Sequence, residues 1–324
     1  MKNKINRRTF LKATALAAPG VILSGCIKPV FDTEPRLKIS LAEWSLHRSI
    51  FGSGLDKNNW GSWEQALQSN PRSVLQGSLD HLDFARTARQ VYGINAVEYV
   101  NVFFYDRATD KKYLKEMKTR ADGEGVQSLL IMCDHEGALG DPDSQLRKTA
   151  IENHYKWIEA AKYLGCHSIR VNAWSVGSYN EQQKLVADGL NHLAEYAQRF
   201  KINVIVENHG GLTSNGKWLA GVMQQTSYPN LGTLPDFGNF YVSETELYDT
   251  YTGVAELMPF AKGVSAKTIE FDPLGNETSL DYKRLIKIVL DSGYRSYIGI
   301  EYEGETLTEH EGILATKSLL EAIL

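Results

Sequence analysis

From Leu37 to Leu324 the chain repeats one pattern eight times, a short apolar run followed by a longer amphipathic segment. Apolar runs without strict alternation suit strands buried on both faces, and the longer segments carry apolar residues at helical spacing. The pattern predicts strands over 38–45, 96–100, 126–133, 168–172, 203–207, 231–236, 262–267 and 296–301. It predicts helices over 78–92, 110–123, 143–164, 181–200, 217–225, 245–258, 280–290 and 309–323. In the first helix Leu79, Leu82, Phe84, Ala85, Ala88 and Val91 form the apolar face. Residues 48–69, rich in Gly, Ser, Asn and Trp, read as an irregular insertion, and long loops of that kind usually carry function. No Gly-rich phosphate fingerprint follows the first strand, which makes a doubly wound sheet the weaker alternative. Eight strand–helix units in one undivided stretch predict an α/β fold, a closed (β/α)8 TIM barrel over residues 37–324.

The first 36 residues stand apart from this pattern. Lys2, Lys4, Arg7, Arg8 and Lys12 precede a weakly apolar run from Ala13 to Leu23, and Arg7-Arg8-Thr9-Phe10-Leu11-Lys12 reads as a twin-arginine export signal. Leu23-Ser24-Gly25-Cys26 resembles a lipobox, in which the cysteine becomes the lipidated first residue. Residues 1–26 are therefore expected to be a signal peptide and residues 27–36, with Pro29 and Pro35, a tether. The expected location is periplasmic or membrane-anchored, with attachment only through the N-terminal lipid. Removing the five basic residues of the leader leaves 30 Lys+Arg against 39 Asp+Glu, about −9, which disfavours a nucleic-acid partner. Cys133 and Cys166 are expected to be buried free thiols, because their predicted strands place them at opposite ends.

Three predicted strands end in an acid followed closely by glycine. They are Asn203-Val204-Ile205-Val206-Glu207-Asn208-His209-Gly210-Gly211, the segment reaching Asp236-Phe237-Gly238-Asn239, and Tyr297-Ile298-Gly299-Ile300-Glu301. In a (β/α)8 barrel the functional residues come from the C-terminal strand ends. His47, Glu98, His135, Asn172, Glu207, His209, Asp236, Lys267 and Glu301 all fall there. A buried acid must be paired, protonated or bound to a cation. Lys267 alone is a poor match for three of them, so a divalent metal is expected.

These strand-end residues resemble those of the xylose isomerase-like barrels, the group of sugar isomerases and epimerases, and the resemblance covers residues 37–324. It implies a divalent cation held by Glu, Asp, His and Glu from strands five to eight, with the two Glu ligands also carrying protons. Glu207, Asp236 and Glu301 match the first, second and fourth positions. The third departs from the pattern: where relatives often read His-x-Lys-Asp, this chain reads Ser265-Ala266-Lys267-Thr268. Water, Ser265 or a rotated His209 is then expected to complete the shell. Oxygen-rich ligation favours Mn or Mg, with Zn or Co as alternatives. Asn239 stands where some relatives, the DNA-repair nucleases among them, carry a histidine, and this departure with the acidic charge speaks against a nuclease.

The resemblance implies proton transfer beside a carbonyl, with Glu207 and Glu301 as the acid–base pair. Lys267 is expected either to stabilise the developing oxyanion or to neutralise Asp236. His47, Glu98, His135, Asn172 and Asn239 are the expected substrate contacts, and Arg170 is a further candidate for sugar hydroxyls, though it is expected to point outward. Trp44, Trp60, Trp63 and Trp174 are placed at the barrel mouth, Trp157 and Trp218 in packing. His81, His154, His167, His192 and His310 are read as structural. Export and the lack of a phosphate site point to a non-phosphorylated sugar or glycoside. The expected activity is a metal-dependent sugar isomerase or epimerase. The alternatives are a 3-keto-glycoside lyase or hydratase, working by β-elimination, and a non-catalytic sugar-binding lipoprotein.

Overall fold

The computed structural model describes residues 37–56 and 59–324. The export signal, lipobox and tether lie outside the described residues. Eight strands run β1 (Lys38–Ala42), β2 (Ala96–Val100), β3 (Gln127–Cys133), β4 (Ser168–Val171), β5 (Asn203–Glu207), β6 (Leu231–Leu234), β7 (Ser265–Thr268) and β8 (Tyr297–Tyr302). All paired neighbours are parallel, in the order β6-β5-β4-β3-β2-β1-β8-β7. The β6–β7 seam closes through isolated contacts. Lys262 N donates to Thr233 O at 2.9 Å, Ser265 N to Pro235 O at 2.9 Å and Phe237 N to Ser265 O at 3.2 Å. The predicted barrel is thereby realised.

The helices begin where the sequence supplies caps. Asp110, Asp143 and Asp281 accept main-chain N–H groups at the starts of Lys111–Gly123, Ser144–Leu164 and Tyr282–Asp291. Ser178 with Glu181, and Thr308 with Glu311, form reciprocal capping boxes. The left-handed Gly165 ends the long helix that the sequence closes at that residue. Among the described residues no helix is long and apolar enough to cross a membrane. Trp157 and Trp218 are fully buried in packing, and Cys133 and Cys166 are buried and free.

Several boundaries differ from the sequence reading. β1 stops at Ala42 because a 3-10 turn over Glu43–Leu46 follows it. The segment over 48–69 is more regular than expected. It contains the helix Trp60–Ser69, capped by the Asn59 side chain, which buries Trp63 and Leu67 one turn apart. Trp63 meets Phe51 edge-to-face at 5.4 Å, and this contact holds the helix over the barrel mouth. Val91 is half exposed rather than on the packed face, and the helix there spans only Phe84–Tyr92.

Candidate active site

β5 and β6 are joined through Glu207 and Leu234, after which Pro235 offers no N–H to continue the ladder. Asn208 takes over. Its Oδ1 accepts from Asp236 N at 2.8 Å, and its Nδ2 donates to Asp236 O at 2.9 Å. This amide clamp fixes Asp236 beside Glu207. Register brings Glu301 opposite Lys267, and Asp236 bridges to Ser265 across the seam. Glu207, Asp236 and Glu301 are all buried, and each offers an oxygen within 4.8 Å of the others.

Each carboxylate is positioned by a different partner set. Asp236 Oδ1 accepts from Gly238 N at 2.8 Å and Asn239 N at 2.9 Å, while the buried Oδ2 has no hydrogen bond. Glu207 Oε1 accepts from Asn239 Nδ2 at 3.0 Å. Glu207 Oε2 lies 2.8 Å from Arg170 Nε, close enough for an ion pair. Neither atom makes a hydrogen bond, so the guanidinium lies beside the carboxylate without donating along the bond axis. Glu301 Oε1 is 3.1 Å from Lys267 Nζ, and its Oε2 accepts from Ser265 Oγ at 3.2 Å. Lys267 Nζ also reaches Glu303 Oε2 at 3.0 Å and Asn239 Oδ1 at 3.2 Å. Arg170 continues the chain to Asp134 Oδ1 at 2.6 Å.

Burial dominates the electrostatics. It pushes Glu207 up to about 7, with Arg170 opposing and Glu301 adding to the rise. Burial likewise holds the Asp236 carboxyl well above the ordinary range, against the pull of Lys267. Burial would raise Asp134 too, but Arg170 beside it wins and keeps that carboxyl well below its ordinary value. Lys267 is held high despite burial, because Glu301 and Glu303 face it. Five carboxylates (Asp134, Glu207, Asp236, Glu301 and Glu303) face only two cations, Arg170 and Lys267. With all five ionised, three negative charges would lack a partner, and oxygens of Glu207 and Asp236 lack hydrogen-bond donors. The residues fit a hard divalent cation, for which an all-oxygen donor set is appropriate.

Beside these acids lies a cavity of about 570 Å³. Trp44, Trp60, Trp63 and Trp174 line it, together with polar groups from Asp134, His135, Arg170, Asn172, His209, Glu301 and Glu303. Its size falls within the roughly 300–1,000 Å³ usual for small-molecule sites. His135 and Asn172 therefore lie where expected, and all four mouth tryptophans do as well. Asn172 Nδ2 donates to Asp134 Oδ1 at 2.7 Å, which orients it.

Five expectations are corrected. His209 does not join the carboxylate group: β5 ends at Glu207, so strand parity no longer applies two residues later. Its imidazole lines the cavity instead, where burial and Arg170 depress it to about 4 and keep it neutral. His47 is not a cavity residue. It stacks on Trp44 at 4.9 Å, and its Nδ1 is 2.8 Å from Trp44 O, so it braces that indole from behind. Glu98 points into the barrel core, where it accepts from Ser40 Oγ at 2.6 Å, and Gly299 packs against it. A Cβ at position 299 would sit 2.7 Å from the Glu98 carboxylate, so any larger residue there would displace that side chain. Asn239 links Glu207 to Lys267 instead of lining the cavity. Asp134 and Asn208 are the parts of the site that the sequence reading missed, and Arg170, expected outward, is buried and inward. A signal was available, since the period-two rule that turns Asn172 inward also turns Arg170 inward.

The five histidines read as structural are found outside the cavity lining. His81 pairs with Glu43 at 2.6 Å, and His154 Nδ1 lies 2.7 Å from Ala150 O within its own helix.

Burial pushes the Glu98 carboxyl from 4.5 to about 7, partly offset by Ser40. The folded protein then keeps a proton that the unfolded chain sheds. The resulting stability is fully present below the unfolded value of 4.5 and is lost as pH rises through about 7. A Glu98→Gln variant is expected to gain about 2–3 kcal/mol on the parent between about pH 5 and about pH 8. Urea midpoints at both pH values check this, and a gap that stays constant would mean that Glu98 is ionised throughout.

No curated protein matches the chain. Among solved structures, a D-tagatose 3-epimerase-like protein is 16% identical, with a TM-score of 0.62, covering 89% of this chain and 97% of its own. The apo form of 3-keto-D-glucoside 4-epimerase from E. coli is 16% identical, with a TM-score of 0.57, covering 75% and 94%. A barrel protein from Mycobacterium smegmatis in complex with magnesium is 15% identical, with a TM-score of 0.57, covering 74% and 88%. These likenesses establish the fold. Residues 86–323 match the xylose isomerase-like TIM barrel family, and the chain belongs to that family.

Proposed function

We propose that the protein is a divalent-metal-dependent enzyme that moves a proton on the carbon beside a carbonyl of a non-phosphorylated sugar, as an isomerase or epimerase. One observation carries this reading. Three buried strand-end carboxylates bring their oxygens within 4.8 Å of one another, beside a tryptophan-lined cavity. Glu207, Asp236 and Glu301 would hold the cation, preferentially Mn or Mg. When bound, the cation supplies Lewis-acid polarisation of the carbonyl and its neighbouring hydroxyl. Glu207 takes the proton from the carbon, and its affinity near neutrality suits a general base. Glu301, reaching in from β8, returns a proton to the sugar. Lys267 holds Glu301 and places positive charge where the oxyanion develops. His209, neutral in the wall, is suited to hydrogen-bond a sugar hydroxyl. The tryptophans cover apolar sugar faces and exclude water.

A second reading uses the same residues. Loss of the C2 proton from a 3-keto-glycoside would expel the C1 substituent, which leaves with the bonding pair and takes up a proton. The cavity favours it, because its lining extends beyond the acids to the exposed Trp174 and Trp60. The E. coli neighbour, a 3-keto-glucoside epimerase by name, makes the same substrate class reasonable. Incubation with a 3-keto-glucoside separates the readings, through free aglycone in one case and an epimerised glycoside in the other. We also propose export through the twin-arginine pathway and lipidation at Cys26, on the strength of Arg7-Arg8 and the lipobox.

The metal is tested directly. The purified full chain is expected to bind one Mn or Mg per molecule, and Asp236→Asn to weaken that binding by about 100-fold or more. Metal analysis and calorimetric titration read both. A chain that binds no divalent ion and turns over equally well in chelator would sink the proposal.

A further inference from the structure

Trp174 lines two cavities. One is the candidate active site; the other, of about 440 Å³, is bordered by Gly210, Gly211, Leu212, Thr213 and Val242. The same two loops build both, since Asn172 and His209 line the first while Ala173 and Gly210 line the second. The indole is 57% exposed, yet its loop is pinned. Trp174 O accepts from Gly140 N at 2.9 Å, and Ser175 Oγ donates to Gly140 O at 2.5 Å. A large aromatic face is thereby held in water at the boundary between the two spaces, where a partner ring would cover it.

The second cavity has few polar groups to offer a ligand. Thr213 Oγ1 donates to Gly210 O at 2.6 Å, and Gln182 Nε2 donates to Gly177 O at 2.7 Å. Ser175 is committed to Gly140, as above. Gly210 and Gly211, at φ +83° and +58°, leave one wall without side chains, and an added Cβ there would meet nothing within 4 Å. What remains is Trp174 with Leu212, Trp218 and Val242, and, as polar groups, the Gln182 amide oxygen and the main chain of the two glycines. Such walls suit a flat, mainly apolar group better than a hydroxyl-rich one.

We infer that this groove is an aglycone subsite, so that the substrate is a glycoside with its sugar in the main cavity and a planar aromatic aglycone against Trp174. The inference rests on the sugar-binding reading given above. Calorimetric titration of the full, metal-supplemented chain with phenyl β-glucoside, methyl β-glucoside and cellobiose tests it. The phenyl compound is expected to bind about tenfold or more tighter than the methyl compound, and cellobiose no tighter than the methyl compound. Val242→Asp should erase the phenyl advantage and leave methyl-glucoside affinity unchanged. Trp174→Ala should erase it as well. Equal affinity for phenyl and methyl glucosides overturns the subsite alone, as does a phenyl advantage that survives both substitutions. Preference for cellobiose overturns the aromatic assignment in favour of a second sugar ring. Failure to bind any of the three overturns the subsite alone, because the keto-sugar function requires a carbonyl that these probes lack and is judged by the metal and exchange measurements.

Discussion

Glu207→Gln is expected to lower turnover of an enolisable keto-sugar by about a thousandfold, the range over which a positioned general base contributes. The amide keeps the shape, and its oxygen can still accept from Asn239 Nδ2. It can neither take up the substrate proton nor present a charged ligand. Two measurements on the variant divide these roles. Retained metal with lost exchange of the carbon-bound proton into deuterated solvent assigns Glu207 as the base. Lost metal assigns it first as a ligand. Wild-type rates of exchange and turnover would remove Glu207 from the chemistry and leave Glu301 as the sole candidate.

The second large effect concerns stability. Arg170→Met removes the cation that stands between Asp134 and Glu207. Breaking a buried ion pair from one side costs about 3–5 kcal/mol, because the remaining charge stays buried without compensation. The loss is expected to be larger at neutral than at acid pH. Glu207 supplies that difference: burial pushes its carboxyl up to about 7, so it is protonated at about pH 4 and leaves no charge for Arg170 to offset. Asp134, held well below its ordinary value by Arg170, stays ionised in the fold at both pH values. Urea unfolding of the two proteins near pH 7 and near pH 4 measures both quantities. A loss below about 1 kcal/mol at neutral pH would mean that the pair is no better than an exposed one. Arg170→Lys, which keeps the charge without the planar fork, should recover part of the loss.

Glu207, Asp236 and Glu301 were legible in the sequence because an acid closing an apolar run has few places to go. Once the run is a barrel strand, the acid lies at the functional rim. The fold itself was legible for a similar reason, since eight repeats of one period leave few closed arrangements. The misread residues all depend on where a strand ceases to be a strand. His209 was assigned by a parity that expires at Glu207, and His47 was assigned to the mouth although the turn after Ala42 carries it behind Trp44. Glu98 is a true strand residue, but it lies deep enough to meet Gly299 instead of the cavity. Arg170 went wrong in the opposite direction. Its strand parity with Asn172 placed it inward, against the outward orientation expected of it. Asn208 gives no sign in sequence that its side chain replaces a main-chain rung, because that role exists only once Pro235 has interrupted the neighbouring strand.

The seam between β6 and β7 leads to one further point. Its bonds run through Pro235, Phe237 and Ser265, and the residue flanked by the first two is Asp236. The segment that shuts the barrel is therefore the segment that carries the Asp236 carboxylate and braces Glu301. In most folds selection can reinforce the frame and adjust the chemistry at separate addresses. Here a substitution that tightens closure at 235–237 or 265 also moves charge in the site, so robustness and reactivity must change together.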